Sequence, residues 1–193
     1  MILKFIECTP KPGMRADFSK AQMAWAPIAG CDGFIAQFGG WDSVNGHAII
    51  LALWQSEQAV VNFMASVHDG IFAGSGQEHT YQQCKVQYFT LEQDLEALQP
   101  AWLLNATSVR IEQYPGHMKQ TKPLTGPGLL GGVWGRSNQE SGHCLRLSFW
   151  HDGVQANEPV GDMQGQSAHS AMSTCLNLPL LPEWRLLSQI QSG

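Results

Sequence analysis

Residues Gly33–Asp69, GFIAQFGGWDSVNGHAIILALWQSEQAVVNFMASVHD, are the stretch that decides the fold. Two apolar segments, Phe34–Phe38 and Ala48–Trp54, flank a turn-rich insert that begins with Gly39-Gly40 and ends with Asn45-Gly46. Apolar segments separated in this way are typical of a β-hairpin. Apolar residues at helical spacing follow the hairpin directly and predict a helix: Ala59, Val60, Phe63, Met64 and Val67.

The second strand of this hairpin recurs in the other half of the chain. Gly46–Trp54 aligns without a gap on Gly142–Trp150, with glycine, histidine, leucine and tryptophan identical at matching places. Internal similarity of this kind predicts that the chain contains two copies of one small α/β unit.

The first copy is predicted to have the ferredoxin-like order β-α-β-β-α-β, which makes the fold class α+β. Its first strand is Ile2–Cys8, its first helix Arg15–Ala26 and its last strand Tyr81–Phe89. Two helices then cover one face of a four-stranded antiparallel sheet. The other face needs a second sheet to cover it, or it serves as a binding platform.

The second copy is predicted to be degenerate, because prolines interrupt the segments where its helices belong. We place a ferredoxin-like repeat at 1–90, a connector at 91–106 and the degenerate repeat at 107–193. In the connector, Thr90 is predicted to cap a short helix that Pro100 ends. The elements predicted for the second copy are strands at Thr107–Tyr114, Gly128–Trp134, His143–Trp150 and Trp184–Leu187 and a short helix at Gln166–Leu176.

Composition limits the function classes. Charged residues make up 14% of the 193 residues, against about 25% in an average protein, which favours an intrachain pseudo-dimer or a homodimer that hides surface. A net charge of −5 without a Lys/Arg run argues against nucleic-acid binding. No apolar stretch is long enough for a membrane span, and the N-terminal residues are predicted to form a strand rather than a signal peptide.

The five cysteines are odd in number and contain no CxxC pair. A zinc site or a disulfide framework is therefore not expected, and a reducing cytoplasm is the expected compartment. His47 and His143 occupy equivalent places in the two copies. They could meet and bind a metal, but we favour exposed positions at strand starts and expect no metal.

The sequence resembles the YdbC-like family, within the dimeric α/β-barrel superfamily that includes the antibiotic-biosynthesis monooxygenases. The resemblance covers roughly Ile2–Phe89. It implies two ferredoxin-like units whose sheets pair face to face as a barrel. The superfamily contains cofactor-free oxygenases, haem-degrading enzymes and ligand-binding regulators, so the fold alone constrains function weakly. The motifs that carry the resemblance are Ala21–Trp25, Gly33-Phe34, Gln37–Trp41, Trp54, Phe63-Met64 and His68-Asp69.

Five polar or aromatic residues are candidates for binding a ligand between the helices and the sheet. Trp41 follows the double glycine and is interpreted either as a pocket wall or as a plug that closes the turn. Trp25 and Trp54 fall in apolar patterns typical of a core. Gln22 and Gln37 could orient a carbonyl or a phenol, although Gln37 could equally face solvent.

His68 and Asp69 are the candidate catalytic pair. They are predicted to end the second helix, where the macrodipole favours a histidine and where Asp69 could fix its tautomer. His68 would be a general base or an axial haem ligand, and the alternative is a C-terminal capping pair. The haem-degrading relatives pair an asparagine on the first strand with a tryptophan and a helical histidine. Ile2–Cys8 contains no asparagine, so a haem cofactor is not expected.

Three functions are consistent with the sequence. The first is a monooxygenase-like reaction on an aromatic or apolar small molecule, without a bound organic cofactor. The second keeps the pocket without catalysis, and the third is a dimerisation module.

Overall fold

The computed structural model describes residues 1–92, 100–116, 126–151 and 174–189. These residues form helices and antiparallel strands, as expected of an α+β protein. They belong to two compact units, the first made of Met1–Gln87 and Leu181–Gly193 and the second of Tyr88–Leu180. The pairing of two sheets into a barrel stays a prediction.

The described residues of the first unit form five strands in the order β4-β1-β3-β2-β9. Its central strand β3 is buried at all seven positions, which explains its continuous apolar sequence. The strands are β1 (Ile2–Pro10), β2 (Phe34–Trp41), β3 (Ala48–Trp54), β4 (Tyr81–Leu91) and β9 (Leu186–Leu187). The helices are α1 (Arg15–Met23), α2 (Glu57–Ser66) and α3 (His68–Ser75).

The predicted hairpin is present, with β2 extended beyond the sequence prediction. Gly39, Gly40 and Trp41, which had been assigned to the turn, continue β2 and pair with Ile50, Ile49 and Ala48. A Cβ atom at Gly39 would lie 2.3 Å from the backbone oxygen of Ile49. The double glycine therefore permits close packing within the sheet rather than a turn.

The segment predicted as one helix after the hairpin forms two helices, α2 and α3. Ser56 caps α2 by accepting a hydrogen bond from the Ala59 backbone N–H at 3.2 Å. The chain breaks at Val67, with φ −120° and ψ −37°, and α3 begins at His68. The prediction that His68 and Asp69 end a helix is therefore wrong, because they occupy the first turn of the next one. A carboxylate is favourable at a helix N-terminus.

Two segments of the second half differ from their predicted structure. Thr90 lies in β4 and caps no helix, and Pro100 belongs to α4 (Pro100–Asn105), so it does not end a helix there. The predicted helix Gln166–Leu176 lies partly outside the described residues, and its last three residues belong to strand β8.

The described residues of the second unit form four strands in the order β8-β5-β7-β6, and Phe89–Leu91, the part of β4 that belongs to this unit, pairs with β6. The observed β7 has the same bounds as the predicted strand His143–Trp150. The four strands are β5 (Ser108–Pro115), β6 (Leu129–Ser137), β7 (His143–Trp150) and β8 (Thr174–Pro179).

The C-terminal segment belongs to the first unit, whereas the repeat boundaries drawn from the sequence place it in the second. Leu186 and Leu187 pair with β2, and the Leu181 backbone N–H donates to the Gly39 carbonyl at 2.9 Å. Trp184, predicted to lie in a strand, sits in a 3-10 helix and is buried.

The strand pairings extend the sequence alignment of β3 and β7 to the neighbouring strands. If β3 and β7 are aligned as the sequence indicates, Ile50 corresponds to Arg146. Ile50 pairs with Ile6 and Arg146 pairs with Glu112. Ile6 and Glu112 are therefore equivalent, as are Lys4 with Arg110, Ala52 with Ser148 and Trp54 with Trp150.

Among the described residues, no helix is long and apolar enough to cross a membrane.

Candidate functional site

The helix-covered face of the first sheet carries an unusual row of side chains. Lys4 of β1 pairs with Ala52 of β3, and Ala52 pairs with Gln37 of β2. Directly cross-strand residues point to the same face of a sheet. Trp54 lies two residues along β3 from Ala52 and so shares that face. Two polar side chains thus flank a small alanine beside a tryptophan.

Lys4 is buried, with only 6% of its surface exposed. Its Nζ atom lies 3.5 Å from the Met64 sulfur and 5.9 Å from the centre of the Phe63 ring. No carboxylate among the described residues forms an ion pair with it. Burial lowers the pKa of Lys4, and the nearby Cys84 thiol partly opposes that shift.

Two other side-chain donors on this face, unlike Lys4, lack any hydrogen-bond acceptor among the described residues. Gln37 Nε2 and Trp54 Nε1 are buried and have no hydrogen-bond partner among the described residues. The expectation that Gln37 could face solvent is wrong, because only 3% of its surface is exposed. A buried donor without a partner is costly and rare in native proteins, so each one calls for an explanation.

An aromatic cluster from the helices packs over this face. Its centre is Phe63 of α2, whose ring lies 4.9 Å from Trp54, 6.5 Å from Trp25 and 5.7 Å from His68. His68 also stacks on Phe72 of α3, with ring centres 5.7 Å apart. Trp25, Trp54 and His68, singled out separately from the sequence, thus contact one phenylalanine.

Gln22 is held in place by a glutamine that the sequence analysis missed. Gln77 donates from Nε2 to Gln22 Oε1 at 2.8 Å, and its own Oε1 accepts from Trp25 Nε1 at 2.7 Å. Gln22 and Gln77 are both buried. Gln77 lies in a short 3-10 helix after the glycines of α3, where no apolar pattern or motif marks it.

The His68–Asp69 contact is present. Nδ1 of His68 lies 2.9 Å from Oδ1 of Asp69, whose side chain is 94% exposed. The exposed carboxylate fixes the imidazole from the solvent side, which leaves Nε2 as the ring nitrogen able to exchange a proton with a ligand.

Trp41 lies in a different cluster. Its ring contacts Phe18 at 5.5 Å and Trp184 at 5.3 Å, and the Arg15 guanidinium stacks on it at 4.4 Å. Gln37 and Trp41 are four residues apart on β2, about 13 Å along an extended strand. Of the residues proposed to bind a ligand, Trp41 is the one that the structure separates from the others.

On the equivalent face of the second unit the charged side chains are paired, whereas the buried Tyr114 hydroxyl has no hydrogen-bond partner among the described residues. Arg110 Nε lies 3.2 Å from Glu112 Oε1, and Arg146 Nε lies 2.5 Å from Glu112 Oε2. Trp150 Nε1 donates to Ser148 Oγ at 3.0 Å. Burial raises the pKa of the neighbouring Tyr114 to about 12.

The two histidines at equivalent strand starts have carboxylate partners nearby. His47 Nδ1 lies 2.6 Å from Glu7 Oε1, and His143 Nδ1 lies 3.1 Å from Glu140 Oε2. The described parts of the chain contain no group of three or more histidine, cysteine, aspartate or glutamate side chains that could hold a metal ion.

Comparison with known sequences gives two matches to the first half of the chain. Residues 2–89 match a family model described as a domain of unknown function, DUF4937. The protein YdbC of Bacillus subtilis (strain 168) is 30% identical over 81 residues, which cover 40% of this chain and 68% of YdbC.

Comparison with solved structures covers nearly the whole chain. A candidate monooxygenase from Lactobacillus acidophilus NCFM matches with a TM-score of 0.61 and 10% identity, over 96% of this chain and 95% of that one. An anthrone oxidase-like protein matches with a TM-score of 0.56 and 8% identity, over 93% and 91%. A candidate monooxygenase from Fusobacterium nucleatum subsp. nucleatum ATCC 25586 gives 0.59 and 8%, over 93% and 92%. At these identities the similarity establishes a shared fold.

Proposed function

This chain belongs to the YdbC-like family and has a monooxygenase-like fold, and from that premise we propose that its first unit binds an aromatic or apolar small molecule between the helices and the sheet. The molecule carries a carbonyl, phenolate or enolate oxygen. The unit then acts on it in monooxygenase-like chemistry without a bound organic cofactor.

The observation that carries this proposal is the set of three buried donors on one sheet face. Lys4 Nζ has no carboxylate partner, and Gln37 Nε2 and Trp54 Nε1 have no acceptor in the described structure. Donors without acceptors favour a ligand oxygen that bears negative charge. The apolar rings of Phe63 and Trp25 beside them favour an aromatic body.

The chemistry that fits these donors begins with loss of a proton from a CH2 group next to a carbonyl. The three donors would stabilise the resulting enolate oxygen. The carbanion carbon then combines with O2, and loss of water leaves a second carbonyl, so that CH2 and O2 become C=O and H2O. The name of the anthrone oxidase-like neighbour agrees with this class of reaction.

His68 is the proposed base. Asp69 holds Nδ1, so Nε2 is free to take the proton, and Phe63 and Phe72 fix the plane of the ring. Gln77 positions Gln22 and Trp25, because it hydrogen-bonds to the side-chain oxygen of Gln22 and to the indole N–H of Trp25. Trp41 has no place in this site.

The experiment is a thermal-shift screen with polycyclic phenols and enolisable aromatic ketones, using wild-type protein and the variants Lys4→Met and Lys11→Met. Lys11 is exposed and serves as the matched control. A ligand that raises the melting temperature of wild type and Lys11→Met, but not of Lys4→Met, supports the site. Equal shifts in all three proteins would place the ligand elsewhere.

Non-catalytic binding is the second candidate, and the packing of His68 favours it, because the ring serves as an aromatic wall between Trp25 and Phe72. The variant His68→Gln separates the two functions. Ligand-dependent oxygen uptake that falls at least tenfold while the melting shift persists identifies a base. Binding without oxygen uptake in wild-type protein identifies a ligand-binding module. A Soret band after haem addition would instead indicate haem binding.

A further inference from the structure

Two cysteines that are far apart in the sequence lie in contact. Cys8 of β1 and Cys84 of β4 have their sulfur atoms 2.9 Å apart, although 76 positions separate them. The two strands are neighbours in the first sheet. A disulfide bond is about 2.05 Å long, so a small movement of the two side chains would bring these sulfur atoms within bonding distance.

The two thiols differ in environment. Cys84 is exposed, whereas Cys8 is buried in a core cluster with Phe18 and Trp41. A hydrogen bond from the Cys8 thiol lowers the pKa of Cys84. Burial opposes this effect less strongly, and the positive charge of Lys4 makes a still smaller contribution that lowers the pKa. The same hydrogen bond and burial raise the pKa of Cys8. Of the two thiols, the exposed Cys84 is the one that an oxidant in solution reaches first, and the buried Cys8 lies beside it.

We propose that Cys84 and Cys8 form a peroxide-oxidisable pair in which Cys84 reacts first and Cys8 closes a disulfide between β1 and β4. The Cys84 thiolate attacks one oxygen of a hydroperoxide, ROOH. This forms an S–O bond, breaks the O–O bond and releases alkoxide, which takes up a proton. Cys8 then attacks the Cys84 sulfenic acid, forming the S–S bond and releasing water.

The other cysteines of the first unit and of β8 lack these features. Burial raises the pKa of Cys31 and of Cys175, which leaves each of them less thiolate than an ordinary cysteine. Neither Cys31 nor Cys175 lies within hydrogen-bond distance of another sulfur among the described residues. Selectivity for Cys84 follows from its neighbours rather than from exposure alone.

Oxidation would also change the charge beside the proposed ligand site. The Cys84 thiolate supports the protonated form of Lys4, and a disulfide removes that negative charge. The pKa of Lys4 would then fall further, so that a smaller fraction of Lys4 carries the positive charge that binds an anionic ligand. The oxidation chemistry itself requires no ligand, so its test is independent of the proposed function.

The test exposes fully reduced wild-type protein to hydrogen peroxide and follows intact mass and non-reducing peptide maps. The expected product has lost two hydrogen atoms, about 2 Da, and links the peptides of Cys8 and Cys84. In Cys8→Ala the disulfide cannot form, and Cys84 accumulates as a sulfenic acid that dimedone traps. Cys31→Ser, the matched control, should oxidise like wild type.

Three results would overturn the proposal. One is a wild-type product with sulfinic acid at Cys84 and no link to Cys8. Another is dimedone labelling of Cys31 or Cys175 before Cys84. The third is unchanged disulfide formation in Cys84→Ser, a substitution at an exposed position that should leave the fold intact. Melting curves of the reduced variants identify any Cys8→Ala protein that is misfolded, and Cys8→Ser then repeats the trapping experiment.

Discussion

At corresponding strand positions, the two units differ in how their buried polar side chains are paired. In the second unit, Glu112 pairs with both Arg110 and Arg146, and Ser148 accepts a hydrogen bond from the indole N–H of Trp150. In the first unit, Ile6 and Ala52 stand at the positions of Glu112 and Ser148. Lys4 there has the Met64 sulfur but no carboxylate as a partner, and the Trp54 indole N–H has no acceptor among the described residues. Both faces are buried, so the difference lies in the pairing. We call the polar network of the second unit closed, because its charged side chains have partners, and that of the first unit open, because its donors lack oxygen acceptors. A closed network is typical of a scaffold, and an open network is typical of a ligand site.

The largest effect is expected from Glu112→Gln in the closed network. The substitution removes the carboxylate between two guanidinium groups, and breaking a buried pair in this way costs about 3–5 kcal/mol. Urea unfolding followed by circular dichroism measures the loss. Glu140→Gln is the matched control, because Glu140 is more than half exposed beside His143 and should change stability by about 0.5 kcal/mol or less. Equal effects of the two variants would contradict the comparison.

Lys4→Met should have the opposite effect on stability. A buried ammonium without a carboxylate is costly, and methionine fills a similar volume beside Met64 without charge, so the free energy of unfolding should rise by about 1–3 kcal/mol. Lys11→Met should leave it nearly unchanged. If Lys4→Met is instead less stable than wild type, the Lys4 ammonium has a stabilising partner in the protein without ligand. The polar network of the first unit is then closed.

Ala52→Ser tests whether the open network can be closed by one oxygen. Ser148 serves Trp150 from the equivalent position, so a serine at 52 should accept the Trp54 indole N–H. A ligand would then compete with an internal bond of about 1 kcal/mol, and its affinity should fall about fivefold. Ala52→Val, which adds volume without an acceptor, is the control in calorimetric titrations. If both substitutions weaken binding equally, bulk rather than hydrogen bonding is responsible.

The smallest effect is expected in the pH dependence of stability, which only the open network of the first unit should show. Folding lowers the pKa of Lys4 below its ordinary value of 10.5, so between these two pKa values the unfolded chain binds more protons than the folded one. Stability relative to Lys4→Met should therefore rise with pH through that window, up to about 10.5. Urea midpoints of both proteins at a series of alkaline pH values measure this. If the difference in stability between the two proteins stays constant or falls with pH, folding does not lower the pKa of Lys4.

The hairpin and the recurrence of its second strand could be predicted because apolar runs and turn residues are local signals. β7 was predicted at its observed bounds for that reason. The break at Val67 carries no glycine or proline, so the continuous apolar spacing concealed it. The docking of Leu186 and Leu187 onto β2 depends on contacts across the whole chain, which no local pattern records.

The candidate site could be predicted only in part. His68, Trp25 and Trp54 were singled out, and they share contacts with Phe63. Trp41 was wrongly grouped with them, because its nearness to Gln37 in sequence hides the length of an extended strand. Lys4 was missed because a lysine in a strand ordinarily lies at the surface. The signal available was its place two residues from Ile2 and Ile6, on their face of the strand.

The close approach at Gly39 has a consequence for biosynthesis. Trp184 packs against this glycine, the Leu181 N–H donates to its carbonyl, and β9 completes the edge of β2. All of these residues follow Tyr88–Leu180 in the sequence, so the ribosome must make the entire second unit before the first can finish folding. At about 5–20 residues per second, β2 waits several seconds with an unpaired edge. During that interval the unpaired edge of β2 can pair with a strand of another chain.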